Sequence, residues 1–453
     1  MSFQLSPALE ERIQCNILKP HNRNVVGYLY FRWPGDLPAH RYRDWVRRIG
    51  TEVTWYSQQK DASSNYRAAI KQGLRGRAIP QSYAINLGLT YAAYQKMGRI
   101  DQAPGDRFLK QGMIGKVFFP PYNQDAQGRD PLTKFFGLEV DHHAIIAVAH
   151  DDKPQVLRKL TALVSKSDFL LPGGEVFKMV IQPNRNAPSP PAVKGPASGP
   201  FGFTDGISNP RNLKEAVEFA FGSSDLTILE GKEDLGTYMA LQKITCHVGA
   251  FKLTALKLRD AINDRKGMKI SASQAQALLM GRHRAGAPVN RYFKTPRSLL
   301  NLEELNNFDY RDAQSGKFDD QGSQCPFHAH TRRVNDRKHP SLLKPIIRRG
   351  ITYNHRDGGP LRQALLFISF QASIERQLLP IYQCMFEKKP KEAMTYTPPP
   401  PLLLPGHPKL KYFAKFGDAN SGIIELNRAG IQLVNFLTGA FYYLPSKLFI
   451  ENP

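Results

Sequence analysis

Apolar positions along the chain follow two alternating periods. Gly27 to Trp33 (GYLYFRW) is rich in aromatic residues and predicts a strand. His143 to Ala149 (HAIIAVA) is a compact apolar run of strand length, which predicts a buried strand. After it, Val156, Leu157, Leu160, Leu163 and Val164 recur at i, i+1, i+4, i+7 and i+8, one stripe down a helix. Phe177 to Gln182 (FKMVIQ) predicts the strand that returns. Strand, helix and strand in that order are the local pattern of a split βαβ, or ferredoxin-like, sheet.

The second half repeats the pattern. Tyr238 to Thr245 (YMALQKIT) alternates as a strand does, Phe251 to Leu258 and Ser273 to Met280 read as helices, and Ala364 to Phe370 (ALLFISF) predicts another strand. Two copies of one α+β architecture are expected. Between them, Asn184 to Pro200 (NRNAPSPPAVKGPASGP) is too rich in Pro, Ala, Ser and Gly for regular structure. That linker divides the chain into expected domains 1–200 and 201–453. A second such stretch, Pro398 to Pro401 with Pro405 and Pro408, reads as a connecting loop before the C-terminal strands.

Composition narrows the class. At 453 residues and 41% hydrophobic content, the chain suits two globular domains. No stretch approaches the ~20 apolar residues needed to span a bilayer. Met1 to Gln14 lacks the basic region followed by an apolar core that marks a signal peptide. A cytoplasmic protein is therefore expected. Cys15, Cys246, Cys325 and Cys384 are too sparse for a disulfide framework and are expected to be reduced.

Charge adds a partner class. With 62 Lys+Arg against 39 Asp+Glu the net charge is +23, which attracts anionic partners or substrates without identifying one. Arg41, Arg43, Arg47, Arg48 and the basic run from Arg282 to Arg297 are scattered and read as solvated surface. No nucleic-acid module accompanies them, so nucleic acid is not the expected partner.

Three segments carry candidate chemistry. The linker leads directly into Gly202-Phe203-Thr204-Asp205-Gly206, where the glycines allow a bend that holds Asp205 against a cavity; taken alone, the segment reads first as a plain turn. Cys325-Pro326-Phe327-His328-Ala329-His330 followed by Thr331-Arg332-Arg333 suggests metal. Zinc would need a fourth ligand beside Cys325, His328 and His330, and no companion pair has zinc-site spacing. One histidine on haem iron, with arginines to pair with propionates, uses the same residues more economically. Ile346 to Ile351 (IIRRGI) predicts a strand carrying at least one guanidinium inward, where it needs an anion.

In this order the segments resemble one family, the dye-decolorizing peroxidases, and within it the larger, late-diverged subgroup. GFTDGIS matches the family's G-x-x-D-G motif and sets Asp205 in the place of the distal aspartate. NNFDYRDAQSGKFDDQGSQCPFHAHTRRVNDR matches the stretch leading to the proximal histidine, which falls on His330 rather than His328. IIRRGITY matches the segment of the distal arginine, at Arg348. IQCNILKPH, LLMGRHRAGAPV, ALLFISFQASIERQ and FLTGAFYYLPS extend the likeness over nearly the whole chain. Cys15, His328 and Asp336 depart from the glycine, small residue and proline expected at those places.

The resemblance implies two ferredoxin-like domains with antiparallel sheets, of the dimeric α+β barrel type, holding haem b mainly in the C-terminal half. It implies His330 as the iron ligand, Asp205 and Arg348 as the peroxide-handling pair, Arg337 on a propionate, and Leu365 and Phe367 lining the distal side. The expected activity is reduction of hydrogen peroxide with one-electron oxidation of dyes, phenols or similar aromatic donors, anionic ones included. Three rivals are a non-enzymatic haem carrier, an enzyme acting on porphyrin or chlorite, and a polyanion-binding protein.

Overall fold

The computed structural model describes residues 3–35, 37–74, 82–113, 134–135, 138–139, 142–167, 175–183, 199–264, 269–292, 294, 302–311, 315–319, 322, 325–326, 329–335, 337, 345–355, 362–386, 409–413, 423–427 and 433–453. The linker from 184 to 198, the proline-rich stretch from Pro398 to Pro408, His328 and Asp336 lie outside the described residues.

The predicted aromatic strand is β1 (Val25–Arg32). Helices α1 (Ala39–Gly50) and α2 (Tyr56–Lys71) follow it, then β2 (Ala84–Leu89), β3 (Ala144–His150), α3 (Lys153–Ser165) and β4 (Glu175–Pro183). These strands lie side by side as β4-β1-β3-β2, all antiparallel, which is the ferredoxin-like permutation. The C-terminal half repeats it. Strand β5 (Thr237–Cys246), helices α4 (Val248–Asn263), α5 (Ala272–Met280) and α6 (His330–Val334), strands β6 (Ile347–Arg348), β7 (Ile351–His355) and β8 (Arg362–Gln371), helix α7 (Leu379–Phe386) and strand β9 (Val434–Leu444) follow in the chain. Their order is β9-β5-β8-β6, with β7 also pairing with β8.

The two quartets are fused. Tyr443 of β9 pairs with Leu89 of β2, so all nine strands form one sheet. Residues of β4 and β7, near its two ends, come within 8 Å of each other, which rolls the sheet toward a barrel. The two sides of β1 and β8 separate accordingly. Val26, Tyr28 and Tyr30 share one cluster with Ala364, Leu366, Ile368 and Phe370 from the other half. Leu29 and Phe31 face outward to Trp45, Val46 and Ile49 of α1 and to Val156, Leu160 and Leu163 of α3. Each such side chain is worth about 1.5–3 kcal/mol on burial, so both faces hold the sheet.

Residues after β9 return to the first half. Helix α8 (Lys447–Glu451) packs on α1, and the buried Gln14 amide donates to the carbonyls of Leu87 and Pro445. Among the described residues no helix is long and apolar enough to cross a membrane.

Candidate active site around Asp205, His330 and Arg348

The segment IIRRGI was expected as one strand and is two. Strand β6 ends at Arg348, and β7 begins at Ile351. Ile347 lies opposite Phe370 and is fully buried, whereas Arg348 lies opposite Ser369 on the other face of β8. Leu365 and Phe367 share that face with Ser369 because side chains alternate along a strand. Both are half-buried against the cluster containing Leu379 and Tyr382 of α7. The Ser369 hydroxyl beside them is buried without a partner among the described residues.

The bend between Gly202 and Gly206 brings Asp205 to Arg348. Gly206 has φ +83°, a conformation open to glycine, and its N–H donates to Asp205 Oδ1 at 2.6 Å. Arg348 Nη1 stands 3.4 Å from the same oxygen, with side-chain exposures of 33% and 30% for arginine and aspartate. Asn209, four residues on, fixes the arginine's backbone. Its Nδ2 donates to the Arg348 carbonyl at 3.1 Å, and its Oδ1 accepts the Arg348 N–H at 2.9 Å. Arg349 turns elsewhere: its guanidinium donates to the carbonyls of Asn16 and Ile17, each at 2.9 Å, and burial pushes it down to about 10.

His330 opens the short helix α6, which packs between α5 and α7. Its ring is half-buried and makes no hydrogen bond among the described residues. Burial pushes the imidazole down to about 4; Arg348 pushes the same way and Asp205 opposes it. All three groups are thus within electrostatic reach. The helix is anchored by Arg332, whose Nη1 pairs with Asp319 Oδ2 at 2.7 Å with exposures of 2% and 1%. Arg332 also donates to the carbonyls of Cys325 and Asp319 and lies 4.6 Å from the centre of the Tyr310 ring. Gly281, which ends α5 at φ +86°, lets this segment approach: a Cβ there would overlap Thr331 Oγ1.

Arg337 lies outside the Asp205–Arg348 contact. Its Nη1 donates to the carbonyls of Asn306 and Phe308 at 2.6 and 2.7 Å, and its Nη2 to Asn306 Oδ1 at 3.0 Å. Its guanidinium is 3.9 Å from the centre of the Phe308 ring. Arg282 lies 5.2 Å from the same ring, so it is not part of the solvated surface expected for the run to Arg297. Burial, with Arg337 and Arg348 adding repulsion, pushes Arg282 down to about 10. Neither Arg282 nor Arg337 has a carboxylate partner among the described residues. Unbalanced buried guanidiniums, an imidazole with free nitrogens and a half-covered apolar strand face fit a planar apolar group with an acidic edge and a metal centre, as haem is.

Of the residues a zinc site would use, His328 lies outside the described residues. The Cys325 thiol is fully buried beside Ala329 and Tyr310, and burial pushes it up to about 12. No three potential metal ligands cluster among the described residues.

A partly open cavity of about 170 Å³ adjoins the aspartate–arginine pair. Asp205, Gly206, Asn209 and Arg348 form one wall; Asn16, Pro20, His21 and Asn22 of the N-terminal half face them. Sequence reasoning gives no role to Asn209, Arg282, Arg349 or His21. The N-terminal segment IQCNILKPH carries a family likeness, but nothing local in it reveals its partner in β6.

Comparison with known proteins agrees over the whole length. A family model for the C-terminal part of Dyp-type peroxidases matches residues 199–397, which contain Asp205, His330, Arg337, Arg348, Leu365 and Phe367. The multifunctional dye peroxidase DyP2 of Amycolatopsis sp. is 26% identical over 98% of this chain and 95% of its own. Among solved structures, the DyP-type peroxidase of Anabaena sp. superposes with a TM-score of 0.74 at 22% identity, over 98% of this chain and 94% of that one. A fungal DyP-type peroxidase from Auricularia auricula-judae does so with 0.71 at 16%, over 99% and 98%. The paired ferredoxin-like quartets, the motifs in family order and the match over residues 199–397 support the DyP-type, dye-decolorizing peroxidase family for this chain.

Proposed function

We propose that this haem peroxidase uses Asp205 to move the proton of hydrogen peroxide, Arg348 to stabilise the charge that develops, and His330 to hold the iron of haem b. The observation that carries the reading is the Asp205–Arg348 contact at 3.4 Å, within electrostatic reach of an imidazole that has no hydrogen-bond partner among the described residues. Haem, when bound, supplies the iron that takes up peroxide and passes its oxidising equivalents to the donor. Arg337 and Arg282 would meet the propionates, and Leu365 and Phe367 would line the peroxide side.

The division of labour follows from the side chains. A carboxylate can accept a proton from one peroxide oxygen and return it to the other, which then leaves as water; such shuttling is worth about 10²–10⁴-fold. A guanidinium stays protonated and can only stabilise charge. Asn209 serves the pair by fixing Arg348 from behind. The reducing partners are dyes, phenols and similar aromatic donors, and the net charge of +23 favours anionic ones. In this reading residues 201–453 form the haem-holding domain and 1–200 contribute one wall of the peroxide cavity.

Stopped-flow recording of the Soret change on mixing with peroxide tests the roles. Asp205→Ala should slow it by at least ~10²-fold, and Arg348→Leu by a comparable or smaller factor. Near-normal rates in Asp205→Ala with strong loss in Arg348→Leu would assign the work to the arginine. His330→Ala should lose most bound haem, while His328→Ala should keep a five-coordinate spectrum; the reverse pattern moves the ligand to His328.

A further inference from the structure

The loop from Asn16 to Arg23 reaches the cavity beside Asp205 from the N-terminal half, and it is held from several sides. Asn16 and Asn22 adopt φ of 64° and 52°, left-handed conformations that asparagine tolerates better than most residues. The Asn16 N–H donates to Gln59 Oε1 at 2.9 Å, and Gln59 Nε2 donates to the Lys19 carbonyl at 3.0 Å. The His21 N–H donates to Asn16 Oδ1 at 3.2 Å. Arg349 grips the carbonyls of Asn16 and Ile17, and Arg23 pairs with Asp151 at 2.8 Å. So many restraints on eight residues fix where His21 sits.

They also fix its tautomer. The Arg23 N–H donates to His21 Nδ1 at 2.9 Å, so that nitrogen carries the lone pair and the proton of the neutral ring is on Nε2. No protein group among the described residues accepts from Nε2. His21 and the exposed Asn22 line the same partly open cavity as Asp205 and Arg348.

We propose that His21 is a peroxide-binding residue in the approach to the Asp205–Arg348 pair, donating its Nε2–H to an oxygen of the incoming peroxide. This rests on the peroxidase reading above. The chemistry suits the ligand. Hydrogen peroxide is small and neutral, and an N–H donor occupies a lone pair while leaving both peroxide protons for Asp205. Burial, with Arg23 and Arg349 adding repulsion, pushes His21 down to about 3. It therefore stays neutral and does not compete with Asp205 for the proton.

Two variants of the haem-loaded chain separate this role from a structural one. His21→Asn keeps the side-chain bond to the N–H two residues on, a turn that asparagine makes readily, but its amide falls short of the cavity. His21→Gln extends an amide N–H about as far as the imidazole does. Peroxide association followed at the Soret band, and cyanide association with the ferric protein, which needs no turnover, should both slow roughly 3- to 10-fold in His21→Asn, as expected for one lost hydrogen bond. His21→Gln should recover to within about twofold of the original chain. Wild-type rates in His21→Asn, or equal slowing in both variants, would overturn the proposal. Failure of the unaltered protein to respond to peroxide while still binding cyanide would instead overturn the peroxidase reading.

Discussion

Removing one partner of the Arg332–Asp319 pair should cost more than most exchanges in the site. Asp319→Ala strands a buried guanidinium, which typically costs about 3–5 kcal/mol, and urea unfolding of the haem-free protein should show it. A loss under about 1 kcal/mol would mean that the carbonyls of Cys325 and Asp319 satisfy Arg332 by themselves. His21 makes a second residue-scale prediction, concerning pH. The folded chain keeps this ring neutral down to about 3, whereas the unfolded chain takes up a proton below about 6.5. The unfolded state therefore binds more protons as pH falls, and stability should drop by at most about 1.4 kcal/mol per pH unit from His21 alone, less because the ring is partly exposed. His21→Gln should flatten the dependence between pH 6 and 4; an unchanged slope would show that other groups govern it. At this scale the sequence singles out Asp205, His330 and Arg348 because each sits in a short motif, and the structure brings Asp205 to Arg348. Asn209 and Arg349 were not, since their partners lie far away in sequence at Arg348, Asn16 and Ile17.

Between elements, close approach sets the tolerances. Gly281→Ala would force a side chain onto φ +86° and into Thr331, so melting temperature should fall and, if His330 of α6 holds the iron as proposed, haem should dissociate faster. Gly249 is the control: it lies in the first turn of α4, and a Cβ added there would meet nothing within 4 Å. Gly249→Ala should be neutral or stabilising by up to ~1 kcal/mol. Equal destabilisation by both would remove close packing as the cause. The periodic elements themselves were legible: β1, β3, α3, β5, α4, α5 and β8 occur where apolar spacing predicted them. The break between β6 and β7 was not. Its apolar residues continue the strand pattern, and only the pairing of Arg348 and Arg349 with distant groups shows why the chain stops and restarts there.

For the molecule as a whole, the net charge of +23 predicts that capture of an anionic donor depends on ionic strength. Screening shortens to about 8 Å at 0.15 M salt, so KM for an anionic dye should rise several-fold between low and physiological salt while that for a neutral phenol should hardly move. Equal salt dependence for both would detach the charge from catalysis. The doubled α+β pattern was readable from local periodicity, but the fusion into one sheet was not: it depends on Tyr443 meeting Leu89, a pairing that no local window contains.

That fusion has a consequence for how the chain is made. Strand β9 fills the gap between β2 and β5, yet its residues emerge from the ribosome long after both neighbours. Throughout that interval β5 stands as an open edge with unpaired backbone groups, a template for joining other nascent chains, whereas Thr54 and Gln14 already bond the backbone of Ile85 and Leu87 on the outer edge of β2. A polypeptide halted before residue 434 would therefore tend to aggregate through β5 instead of yielding a working half-enzyme, and the final strand is the closure that covers that edge.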